Sequence, residues 1–67
     1  MLQEKVGKRI KQLRNQLGIS QEELAFRSNV HRTYIASVEV GKRNLTINVL
    51  EKIVNALEVT LSDFFNF

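Results

Sequence analysis

The chain contains no cysteine and no proline, and its 67 residues include one histidine and one aspartate. Without cysteine, neither a disulfide nor a thiolate metal site can hold it, and a lone histidine is too few for a zinc site. His31 and Asp63 come with no nucleophile–base pair and no paired carboxylates at usable spacing. An enzyme is therefore not expected, nor is a catalytic residue, a cofactor or a metal. No segment approaches the ~18 apolar residues of a membrane span, and no signal peptide opens the chain. The expectation is a soluble, cytoplasmic protein. No strand alternation and no internal repeat is found.

What is present fits one small helical domain over residues 1–67. A hydrophobic share of 43% suits a packed domain rather than a disordered tail, near the lower size limit for folding on a single core. Charge is unevenly spread. Residues 1–43 hold nine Lys/Arg against four Glu, while residues 44–67 hold one Lys against two Glu and one Asp. A basic front and a mildly acidic, very apolar back imply two surfaces with different tasks.

Periodicity predicts five short helices and an all-α fold. Leu2, Val6, Ile10, Leu13 and Leu17 form one narrow stripe, with Lys5, Lys8 and Arg9 as a solvated face and Arg14 at the stripe's edge. Gly18 should end this helix in the left-handed conformation. Ser20, with Glu23 three residues on, has capping-box spacing for a second helix, "QEELAFRS", ending at Asn29. A third runs from about residue 31 to Val40, stopped by Gly41. Ile35 and Val38 mark its buried side, Thr33, Ala36 and Ser37 lie opposite, and Arg32 and Tyr34 flank them. His31 reads as a helix-start residue. Thr46 caps a fourth helix, "INVLEKIVNALEV", whose apolar residues spread over roughly 160°, wider than the ~100° a core-facing helix needs. Thr60 caps a last turn, "LSDFFNF".

The positions Gln21, Leu24, Ala25, Asn29, Val30, Ile35 and Val38 are spaced as a helix-turn-helix, made by helices two and three, whose second helix enters the DNA major groove. Ala25 permits the close crossing of the two helices. With "KRIKQLRNQLGISQEELA", "VEVGKRNLT" and "LEKIVNALEVT" along nearly its whole length, the chain resembles the Cro/repressor-type helix-turn-helix domains of phage and bacteria. "RTYI" at 32–35 followed by "GKRNLTI" at 41–47 most resembles the controller proteins of type II restriction–modification systems. Asn29 stands where glycine is commoner in that family.

The resemblance implies a lambda-repressor-like fold and a dimeric transcriptional regulator of a restriction–modification operon, bound to palindromic operator sites on double-stranded DNA. No small-molecule effector is expected. The resemblance makes Gln21 a phosphate or base contact, and Arg32, Thr33 and Ser37 the groove-facing readers. Side-chain chemistry agrees independently: Arg can pair with guanine O6 and N7, and a Thr methyl can meet a thymine methyl. Tyr34, on a flank, suits a phosphate or local DNA shape. Lys42, Arg43 and Asn44 lead to the Thr46-capped helix, whose free N–H groups suit a further phosphate. Arg14 and Glu39 each lie just beside an apolar stripe, and the resemblance pairs them in a largely buried ion pair.

Three Phe in the last four residues (Phe64, Phe65, Phe67) exceed what a fifth helix easily buries, so a homodimer interface is expected there, centred on Val54, Leu61 and Phe65. The alternative reading is an antitoxin-type interaction module that binds DNA secondarily. That reading calls for an added toxin-binding segment, for which 67 residues offer little room.

Overall fold

Local signals start and stop the helices in the computed structural model, which describes Met1–Phe67. They are α1 (Leu2–Leu17), α2 (Gln21–Ser28), α3 (Arg32–Glu39), α4 (Ile47–Ala56) and α5 (Leu61–Phe64). Gly18 closes α1 at φ 77°. Ser20 Oγ accepts the Glu23 N–H at 3.0 Å, and Asn29 ends α2 at φ 57°, a left-handed position that Asn tolerates. Thr46 and Thr60 cap α4 and α5 in the same way, through the N–H groups of Val49 and Asp63.

Two local expectations are corrected. The capping box at Ser20 is only half made, because the Glu23 carboxylate turns to Arg27, its i+4 neighbour, at 2.8 Å. Helix α4 stops at Ala56 instead of running to Val59, and Leu57 is its C-cap. Glu58 then takes the left-handed conformation at φ 63°, with neither Gly nor Asn to signal it. Its carboxylate lies 3.3 Å from Arg27, an ion pair that links this turn to α2.

The helices surround one core. Val6, Ile10 and Leu13 of α1 meet Leu24 and Ala25 of α2, Ile35 and Val38 of α3, Ile53, Val54 and Leu57 of the α4 region, and Phe64 of α5. Leu2, at the end of the α1 stripe, stays exposed. Gly7 has a role that sequence spacing did not reveal. A Cβ there would collide with the Val38 carbonyl oxygen and sit 3.0 Å from that of Glu39. Only glycine lets α1 lie directly on the C-terminal end of α3.

Arg9 is also not a free surface cation. Its Nε donates to the Phe64 carbonyl at 2.8 Å and its Nη2 to that of Asp63 at 2.6 Å. A cation thus meets carbonyls at the C-terminal end of α5 and fastens it to α1. No helix is long and apolar enough to cross a membrane.

Candidate nucleic-acid interface

Helices α2 and α3 are joined by three residues, Asn29, Val30 and His31. The Val30 N–H donates back to the Ala25 carbonyl at 3.0 Å, which closes the turn. Ile35 and Val38 anchor α3 in the core. His31 is its N-cap residue but makes no side-chain capping bond. This leaves Arg32 and Thr33 exposed on the first turn, with Ser37 half-buried one turn on.

Arg32 is not idle. Its Nη1 lies 3.4 Å from the Glu22 carboxylate on α2, with the two side chains 61% and 74% exposed. In water such a pair is loose and readily exchanged for another anion. Glu22 was not among the sequence-derived site residues. Its i+10 relation to Arg32 appears only once α2 and α3 cross.

The loop after α3 is bound to Tyr34. The Tyr34 hydroxyl donates to the Asn44 carbonyl at 3.2 Å, and the Arg43 guanidinium lies over the ring, 4.6 Å from its centre. A cation over an aromatic face is attracted by the ring's quadrupole. The sequence alone sends this hydroxyl outward to a phosphate or to DNA shape. Its partner in the free chain is internal, so Tyr34 also braces Arg43 and Asn44. Lys42, Arg43 and Asn44 are exposed. Thr46 is exposed too; its hydroxyl oxygen accepts the Val49 N–H in capping α4, which leaves its O–H proton free. An anion there can meet that proton and the open N–H groups of the first turn.

Gln21, at the start of α2, is half-buried, and its Nε2 donates to Glu39 Oε1 at 3.0 Å. Glu39 also takes two bonds from Arg14, Nε to Oε2 at 2.8 Å and Nη2 to Oε1 at 3.0 Å. This bidentate pair is largely buried, with side-chain exposures of 11% for Arg14 and 2% for Glu39. The hydrogen-bonded Glu39 carboxylate raises the Arg14 pKa above its usual value, against the opposing effect of burial. Arg14 Nη1 donates to the Ile19 carbonyl at 3.0 Å, so every arm of the guanidinium is occupied.

The Phe-rich end divides. Phe64 is buried, while Phe65 and Phe67 stay partly exposed and stack at 6.1 Å. Leu61 is exposed beside them. Val54, expected at an interface centre, is only 1% exposed. It faces the chain's own core and offers a partner almost no surface, whereas Ile47 of the same helix is exposed. Phe65, together with Leu2, Leu45 and Leu50, lines an apolar cleft of about 300 Å³ whose rim includes Arg43 and Asn44.

Two helices crossing over a tight turn, with the first turn of the second left free, define a helix-turn-helix domain. The helix-turn-helix family matches residues 10–64. The control protein C.BamHI of Bacillus amyloliquefaciens is 42% identical over 62 residues, 91% of this chain and 76% of that protein. The restriction–modification controller C.AhdI of Aeromonas hydrophila superposes with a TM-score of 0.90 at 38% identity, covering 94% of this chain and 96% of that one. C.Esp1396I bound to a 25 base pair operator site superposes at 0.91 with 48% identity, covering 97% of this chain and 86% of that one. The chain belongs to the restriction–modification controller proteins of the Cro/repressor-type helix-turn-helix family.

Proposed function

We propose that this chain is a dimeric, sequence-specific transcriptional regulator that binds palindromic operator DNA and controls a restriction–modification operon. The observation that carries the reading is the first turn of α3, where Arg32 and Thr33 stand exposed above Ile35 and Val38, both buried in the core. A firmly seated helix with a free polar first turn is what major-groove reading requires. The operator-bound relative of the same fold supports it.

In this reading Arg32, Thr33 and Ser37 read base edges, and Gln21 contacts the DNA from the start of α2. Lys42, Arg43, Asn44 and the N-terminus capped by Thr46 meet phosphates, and Tyr34, which braces that loop, reaches a phosphate or reads local DNA shape from its flank. Leu61 and Phe65 lie in the two-fold contact, joined by Phe67, with Val54 packed behind them. A two-fold dimer sets its recognition helices about 34 Å apart, one turn of DNA. The activity is binding, not catalysis.

Selection from a randomised duplex library tests the proposal. Enrichment of a palindrome with half-sites one turn apart is expected, alongside sedimentation as a dimer. A folded protein that enriches no sequence would return the interaction-module reading. One that stays monomeric at high micromolar concentration would remove the palindrome.

A further inference from the structure

Glu39 does more than neutralise Arg14. Its Oε1 accepts from two side chains at once, Arg14 Nη2 and Gln21 Nε2, both at 3.0 Å. A carboxylate can only accept, so chemistry forces the Gln21 amide to turn its nitrogen inward and its oxygen away from Glu39. A flipped amide would set oxygen against oxygen beside a buried charge. The same pair reaches the backbone through Arg14 Nη1 and the Ile19 carbonyl, two residues before Gln21. The start of α2 is therefore tied to one buried charge pair through both its side chain and its leading turn.

We propose that Glu39 is a positioning residue for DNA contact, selecting one orientation of the Gln21 amide before DNA arrives. This rests on Gln21 as a DNA contact, as set out above. With one Nε2 proton given to Glu39, the amide presents its second proton and its carbonyl oxygen. The proton suits a phosphate oxygen, and the oxygen suits the exocyclic amino group of adenine or cytosine. An unheld glutamine would have to lose its rotational freedom on binding; this one has lost it on folding. The pair that stabilises the fold thereby also shapes the reading surface, although neither member needs to touch DNA.

Side-chain amide hydrogen exchange in the free protein tests the hold without any substitution. The Gln21 Nε2 proton held by Glu39 should exchange roughly tenfold more slowly than the Nε2 protons of exposed Gln16. Equal rates would overturn the proposal. Glu39→Asp then keeps the charge facing Arg14 but withdraws the carboxylate by one methylene. With a duplex taken from the library selection, Gln21→Ala should weaken binding by roughly tenfold in the wild-type background and by less than about threefold in the Glu39→Asp background.

The same penalty in both backgrounds would overturn the positioning role. If Glu39→Asp does not fold, the exchange comparison decides alone. A protected amide whose removal leaves DNA affinity unchanged would remove Gln21 from the DNA contact, and the proposal with it. An unprotected amide whose removal still weakens binding would remove Glu39's role and leave the contact standing.

Discussion

At its N-terminal end α3 carries Arg32 and Thr33 in solvent, and its one charge pair, with Glu22, is exposed on both sides. At its C-terminal end the same eight-residue helix has Val38 and Glu39 buried, with Glu39 gripped by Arg14 and Gln21 and the α1 backbone pressed close at Gly7. The two ends contain the same kind of ion pair in opposite dielectric surroundings. The buried pair costs much if one partner is lost, because the other is stranded out of water. The exposed pair costs little, because water and salt replace it. An eight-residue helix is too short to hold itself together, so its fixed end is what allows the free end to be presented in one orientation.

The strongest way to break this contrast is Glu39→Gln. It should destabilise the fold by about 3–5 kcal/mol, read as a lower midpoint in chemical denaturation. An unchanged midpoint would mean that the buried end is not held by charge. Next is Gly7→Ala, where the added Cβ must push α1 off α3. A loss of about 1–3 kcal/mol is expected, and an unaffected thermal midpoint would show that the contact between these helices gives way freely.

At the free end the effects should move from stability to binding. Arg32→Ala should leave the denaturation midpoint unchanged, cost about 1–3 kcal/mol of DNA affinity per half-site and relax preference at one base pair. Loss of affinity for every sequence alike would demote Arg32 from reader to phosphate anchor. Arg43→Ala should weaken all duplexes about equally and flatten the salt slope by roughly one unit per half-site. An altered base preference would reverse the two roles. The smallest change is expected for Glu22→Gln, within about 1 kcal/mol in stability. A drop as large as that of Glu39→Gln would erase the difference between the two ends.

Much of the fold was readable because helix limits depend on near neighbours. Gly18, Ser20, Asn29, Thr46 and Thr60 each act on groups within about four residues, and the five helices follow from them together with the apolar spacing. Glu58 escaped for the converse reason: a left-handed glutamate has no compositional signature, and its stabilising partner, Arg27, is on another helix. The helix-turn-helix was legible from seven residues. The side-chain partners of its surface were not, since Glu22 meets Arg32 and Tyr34 meets Asn44 only after the chain has turned.

By itself the sequence determined five helices, the turn between the second and third, and which residues could face outward, because a periodic pattern states the direction of each side chain around its own axis. It placed Arg14 and Glu39 at the edges of their stripes, where a partner was required. Only the tertiary structure decided what stood opposite. Arg9 meets a carbonyl 55 positions away, Gln3 donates to Gly41 across 38, and Glu39 takes Gln21 as well as Arg14. Val54 looked like interface on the wheel of α4 and lies in the core because α2 and α5 cover it. A helical wheel fixes direction and leaves distance open, and hydrogen bonds, ion pairs and burial all depend on distance.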